Sequence, residues 1–192
     1  QHFKQAIAPG DERILVHTSN FRKVKRTTDV IRIFKKVQER IPSKLLMVGD
    51  GPERTHAEQL SRELGVANDV RFLGKQDAIE EILSVSDLFI IPSGSESFGL
   101  AALEAMACKV PIISSNTGGL PELNLDGVTG FLSDVGDVEA MAANAIYMLE
   151  DNNRLEQFKE AALNRAKDFQ LANIMPLYEQ YYQEVIAETA LT

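Results

Sequence analysis

Six short apolar blocks, spaced by helix-length patterns, constrain this chain more than any other feature. ILVH (14–17), KLLMV (44–48), VRFL (70–73), DLFII (87–91), VPIIS (110–114) and GFLS (130–133) read as strands. They do not alternate polar and apolar residues, which points to a parallel sheet buried on both faces. Ile31, Phe34, Val37 and Ile41 repeat at helical spacing and predict a helix over 27–41. Further helices are predicted up to about Leu64, where Gly65 can cap, and over 77–85, 99–108, 119–124, 137–150, 152–168 and 171–188. Alternating strand and helix predicts an α/β fold: a doubly wound parallel sheet of about six strands with a helical carboxyl-terminal tail. No repeat, low-complexity stretch or Pro/Ser-rich linker divides the chain. It reads as one domain over 1–170 followed by a tail over 171–192. The tail carries Tyr178, Tyr181 and Tyr182 with Ile174, Leu177, Val185 and Ile186. Such a helix either packs on its own sheet or docks on a partner domain.

Composition excludes several functions. The 192 residues carry a net charge of −8, which makes a poor general nucleic-acid binder, because phosphates demand excess basic charge. A few local cations can still hold one phosphate group. A single cysteine excludes a disulfide framework and a cysteine zinc site, and the cytoplasm is the simplest setting. No apolar run approaches the ~20 residues of a membrane span, and QHFKQAIAPGDER lacks a signal-peptide core. That abrupt start, without an initiator Met, suggests a fragment of a longer chain.

In open parallel sheets, ligands bind beyond the carboxyl ends of the strands. After the first strand, SNFRKVKR (19–26) packs Arg22, Lys23, Lys25 and Arg26 into five positions. A charge run is usually a solvated face, but cations at a strand's carboxyl end can neutralise a diphosphate. After the second strand, Gly49-Asp50-Gly51-Pro52 makes a tight turn. It matches neither a dinucleotide fingerprint nor a P-loop. After the fourth strand comes SGSESFGLAALEAMA (93–107), with Glu96 before a helix and Glu104 within its first two turns. The amides of Phe98, Gly99 and Leu100 are free donors at that helix start, an anion site suited to phosphate. Carboxylates are poor phosphate ligands but good acceptors for sugar and ribose hydroxyls. A carboxylate on each side of a phosphate site is the pattern expected for a nucleotide-sugar. The plainer reading is a cap (Glu96) and a helix-face charge (Glu104), in which Glu104 is half-buried at a cost. After the fifth strand, SSNTGGLPE (114–122) has Gly118 and Gly119 to bring amides close to a ligand, or it is an ordinary helix-entry loop. His17 ends the first strand and could sit at the site edge, although a lone His is more often structural, and Cys108 reads as an inert buried thiol. No Ser/His/Asp set, HExxH or metal-ligand spacing is present.

E-x7-E after a strand, together with GDGP, RFLG, GGLPE and DGVTGFL in this order, resembles the carboxyl-terminal domain of a family 4 retaining glycosyltransferase. That family has the GT-B architecture, two Rossmann-like domains facing each other across a cleft. Within it, HTSNFRKVKRTTDVIRIF, LLMVGDGPE, FLGKQDAIEEIL, ESFGL, LEAMAC and SDVGDVEAM are similar to the branch that serves bacillithiol synthesis. The resemblance implies transfer of GlcNAc from UDP-GlcNAc to the hydroxyl of L-malate. It puts donor-sugar hydroxyls on Glu96 and ribose hydroxyls on Glu104. It puts sugar and diphosphate on Ser97, Phe98, Gly99 and Leu100, and uracil on Leu73, Gly74, Lys75 and Gln76. Asn20, Gly49 and Gly51 join the donor site. The family places an Arg and a Lys five apart on the diphosphate, and NFRKVKR departs from that spacing. Arg22 takes the first role, and Lys25 or Arg26 the second. Catalysis then falls on Arg22, Arg26 and Glu96 by charge stabilisation, with no cofactor and no metal. Lys109 stands where the family has Gly, which alters a helix end. The acceptor, a small hydroxy acid, would sit mostly on an amino-terminal domain outside this chain. The chain alone is therefore expected to bind UDP weakly and not to transfer sugar. Two other readings are a UDP-GlcNAc epimerase-like enzyme and a non-enzymatic signalling module using Asp50, which lacks the acidic pair such modules need.

Overall fold

The computed structural model describes the backbone of residues 2–189, and their side chains except those of 2, 3, 177, 178, 184 and 187–189. Six strands form one sheet: β1 (Arg13–Thr18), β2 (Ser43–Val48), β3 (Val70–Gly74), β4 (Leu88–Ile91), β5 (Ile112–Ser115) and β6 (Gly130–Ser133). All adjacent pairs are parallel, in the order β3-β2-β1-β4-β5-β6. This is the expected doubly wound, Rossmann-like sheet.

The helices are α1 (His2–Ile7), α2 (Thr27–Gln38), α3 (Arg54–Glu63), α4 (Ile79–Leu83), α5 (Leu100–Ala107), α6 (Leu120–Leu123), α7 (Val138–Leu149), α8 (Asn152–Asp168) and α9 (Leu171–Thr189). Successive strand residues point to opposite faces, and here both faces are covered. Leu15, Leu45, Met47 and Ile90 pack with Val30, Phe34 and Val37 of α2 and Met141 and Met148 of α7. Ile14, Val16, Leu46, Phe89 and Ile91 pack on the other side with Ala102, Ala105 and Met106 of α5 and Ala162 of α8. That two-sided burial is why the strands carry no polar alternation.

Three details depart from the sequence reading. α1 was not anticipated; Ile7 at its end and the adjacent Ala8 are buried in the second core. Lys109, one residue past the α5 cap, holds φ 63, the left-handed position where Gly is usual. Its ammonium binds Glu160 of α8, so the position keeps the Gly-type backbone with a side chain anchored to a neighbouring helix. Cys108 is half-buried rather than buried, and burial pushes its thiol pKa up.

α9 begins at Leu171. Its side chains Leu171, Met175, Tyr181, Tyr182, Val185 and Ile186 are exposed, in contrast to α8, which buries Leu155, Phe158, Ala162 and Ala166. Leu177 and Tyr178 lie outside the described side chains.

Candidate functional site

Strand order reverses between β1 and β4, so their carboxyl ends open a crevice. A cleft of about 220 Å³ lies there, lined by Thr18, Ser19, Asn20, Lys25, Ile91, Ser93, Glu96, Gly99 and Ala101. The β1 loop leaves the strand through Ser19 and turns at Phe21, which holds φ 39 and is fully buried. His17 fixes this exit. Its Nδ1 lies 2.8 Å from the Ile90 carbonyl of β4, and a carbonyl only accepts, so Nδ1 carries the proton. Nε2 then accepts from the Ser19 hydroxyl at 2.8 Å, and Ser19 Oγ accepts from the Phe21 amide at 3.2 Å. Burial pushes the His17 pKa down to about 4, against the opposing pull of the Ile90 carbonyl. His17 is therefore a neutral structural group, as expected.

The loop after β4 is fastened to the β1 loop, with the Gly94 amide donating to the Val24 carbonyl at 2.8 Å. It ends at Gly99, φ 94, ahead of α5. The amides of Phe98, Gly99, Leu100 and Ala101 have no partner among the described residues. Of these residues Gly99 and Ala101 line the cleft, and a helix amino terminus carries positive character. The Phe98 ring packs edge-on against Phe169, centroids 5.6 Å apart, while Ser97 and Leu100 are exposed.

Glycines hold both loops by close backbone approach. A Cβ on Gly49 would sit 1.8 Å from the Ser19 carbonyl oxygen, and one on Gly51 2.1 Å from that of Asn20. A Cβ on Gly118 would sit 1.7 Å from the Glu96 carbonyl oxygen. The Gly119 amide donates to that oxygen at 3.0 Å. The expectation that Gly119 offers its amide to a ligand is thus corrected: the amide is spent on the Glu96 backbone. Gly49 and Gly51 likewise contact the β1 loop.

The charged groups divide. Lys25 Nζ lies 2.5 Å from Glu96 Oε2, joining the two loops across the crevice. Arg22 is exposed, with no side-chain partner among the described residues. Arg26 does not line the cleft; its left-handed backbone (φ 52) turns Nε onto buried Asp29 at 2.6 Å. Asp29 also binds Arg32. Glu104 is exposed, so the half-buried expectation fails and its burial argues for nothing. Leu73, Gly74, Lys75 and Gln76 close β3, two strands from the switch point. There the Gly74 carbonyl accepts from the Gly49 amide at 2.8 Å, and Gln76 Nε2 donates to the Leu73 carbonyl at 2.6 Å.

Thr18, Ser19 and Ser93 were missed by motif reasoning, although each ends or follows β1 or β4. Thr18 Oγ1 and Ser93 Oγ are buried without a hydrogen-bond partner among the described residues. No cluster of three or more His, Cys, Asp or Glu among the described residues is arranged to hold a metal ion. No helix among them is long and apolar enough to cross a membrane.

The chain is 44% identical over 178 residues to the N-acetyl-alpha-D-glucosaminyl L-malate synthase of Bacillus anthracis, covering 92% of this chain and 47% of that protein. It is 30% identical to a D-inositol 3-phosphate glycosyltransferase of Corynebacterium aurimucosum, covering 96% and 46%. Among solved structures, the Anabaena protein HepE in complex with UDP superposes with a TM-score of 0.86 at 25% identity, covering 95% and 52%. A sucrose-phosphate synthase from Thermosynechococcus elongatus gives 0.83 at 27% identity, covering 98% and 49%. The chain spans about half the length of the relatives it matches. The family model for glycosyl transferases group 1 matches residues 1–165, and the chain belongs to that family.

Proposed function

We propose that the cleft between β1 and β4 holds the UDP-sugar donor of a retaining glycosyltransferase. The whole protein would then transfer GlcNAc from UDP-GlcNAc to the hydroxyl of L-malate. The observation that carries this is the meeting of three chemistries in one cleft: a cation (Lys25), a carboxylate (Glu96) and the free amides opening α5. Phosphate suits the first and third; sugar hydroxyls suit the second. The named activity of the Bacillus anthracis relative supports the choice of GlcNAc and malate, and the UDP held by HepE supports the nucleotide.

In this scheme the amides of Phe98, Gly99 and Leu100, with Lys25 and Arg22, hold the diphosphate. Lys25 is preferred over Arg26 because Lys25 lines the cleft and Arg26 does not. Glu96 accepts from the sugar, Glu104 from the ribose, and residues 73–76 face the uracil. The bond from the anomeric carbon to the diphosphate oxygen breaks, and the malate hydroxyl oxygen bonds to that carbon on the same face. Its proton passes to the departing diphosphate. Rate then comes from stabilising charge on the leaving group, where one lost donor typically costs roughly 10²–10³. The two-carboxylate scheme of glycosidases is not invoked, since Glu96 and Glu104 are assigned here to sugar and ribose hydroxyls. The scheme calls on no metal. The acceptor site falls to an amino-terminal half, against which the exposed face of α9 would dock. A cytoplasmic setting fits a nucleotide-sugar substrate and a chain with one cysteine. An epimerase-like reading shares the nucleotide site, and detection of an epimerised sugar would favour it.

Calorimetric titration with UDP, ADP and GDP tests the proposal. It predicts selective UDP binding, weakened about tenfold or more by Glu104→Ala through loss of charge-assisted hydrogen bonds. Equal binding of all three nucleotides, or an unaffected Glu104→Ala, would contradict it.

A further inference from the structure

Lys25 and Glu96 are opposite charges in one cleft, and they hold each other. The pair is 2.5 Å long, with side chains only 20% and 14% exposed. It joins the loop after β1 to the loop after β4, and neither side chain has another ionic partner among the described residues. A diphosphate arriving at Lys25 meets an ammonium already paired with the Glu96 carboxylate, an attraction that must be given up first. Sugar hydroxyls arriving at Glu96 meet an oxygen already taken by an ammonium. Each half of a nucleotide-sugar must therefore displace the other half's partner.

We propose that the Lys25–Glu96 pair is an internal competitor that makes the cleft favour a nucleotide-sugar over the bare nucleotide. This rests on the donor reading above. The diphosphate takes Lys25, and the released Glu96 carboxylate turns to the sugar hydroxyls, so a UDP-sugar leaves both charges partnered. UDP without a sugar takes Lys25 and strands Glu96 in a half-buried position, which is costly. The cleft thereby weakens its hold on the product of the reaction relative to its substrate, which assists turnover.

The test titrates UDP and UDP-GlcNAc into the chain, Glu96→Gln, Lys25→Met and the double variant, with folding checked by circular dichroism. Among the described residues the Glu96 side chain has no hydrogen-bond or ionic partner but Lys25, so the isosteric amide variant is expected to keep the fold. Glu96→Gln is expected to tighten UDP about three- to tenfold, the size of one competing charge at a partly buried position, and to give UDP-GlcNAc no such gain. In the Lys25→Met background the Glu96→Gln gain on UDP disappears, because the competition has lost its object. UDP affinity unchanged or weakened by Glu96→Gln, in a chain that binds UDP, overturns the competitor and leaves the donor reading intact. A gain that persists with Lys25→Met reduces the effect to general charge repulsion and also overturns it. No UDP binding by any folded variant removes both readings.

Discussion

Burial holds the His17 imidazole neutral, with its pKa lowered from 6.5 to about 4. The unfolded chain protonates first as pH falls, so His17 contributes stability that is full above about 6.5 and lost towards 4. Within that window each pH unit removes about 1.4 kcal/mol through this one group. Thermal unfolding from pH 7 to pH 4 should therefore show a steeper loss in the natural chain than in His17→Gln. Parallel slopes would mean that His17 titrates normally. The cation cluster at 22–26 was legible from sequence, but its division was not. Which of Lys25 and Arg26 enters the cleft depends on the left-handed turn at Arg26 and on Asp29 three residues later. Burial of Glu104 was misjudged because helix position alone does not say which face looks at the core. Thr18 carries no motif and Ser93 only opens the segment 93–107, so neither was singled out; their orphaned hydroxyls mark them.

Among the elements, the two glycine turns are supports for the site loops. Gly118 holds φ 56 with the Glu96 carbonyl oxygen 1.7 Å from an added Cβ, whereas Gly127 holds φ 71 with nothing within 4 Å. Gly127→Ala bears backbone strain alone, about 1–2 kcal/mol. Gly118→Ala adds a clash that pushes Glu96 away. It should unfold at a lower temperature than Gly127→Ala and bind UDP more weakly. Equal melting temperatures with unchanged UDP affinity would remove the support role. In the sequence GDGP was visible as a tight turn, and GGLPE as a loop that brings amides near a ligand or simply enters a helix. Their contacts with neighbouring loops depend on pairings between residues far apart in the chain, which no local pattern encodes. The central strands β1, β2, β4 and β5 were legible because each is buried on two faces. Helix α1 escaped notice because six residues contain too little periodicity to read.

At the scale of the molecule, the order β3-β2-β1-β4-β5-β6 places one crevice where the two halves of the sheet diverge. The basic loop, the E-x7-E segment and both glycine turns lie at that carboxyl edge. The family and the sheet were readable before the structure, since several motifs occur in a set order along one domain. The apolar residues of α9 were also readable, but that they are exposed rather than packed on their own sheet was not, because the tail pattern alone fitted either outcome. The central claim is that the β1–β4 crevice holds a UDP-sugar. Backbone amide NMR of the labelled chain during titration with UDP-GlcNAc tests it most directly. The account predicts the largest shifts at Phe98, Gly99, Leu100 and Ala101 and at Asn20–Lys25, saturating together. Saturable shifts confined to another face of the sheet, with these amides unmoved, would contradict it.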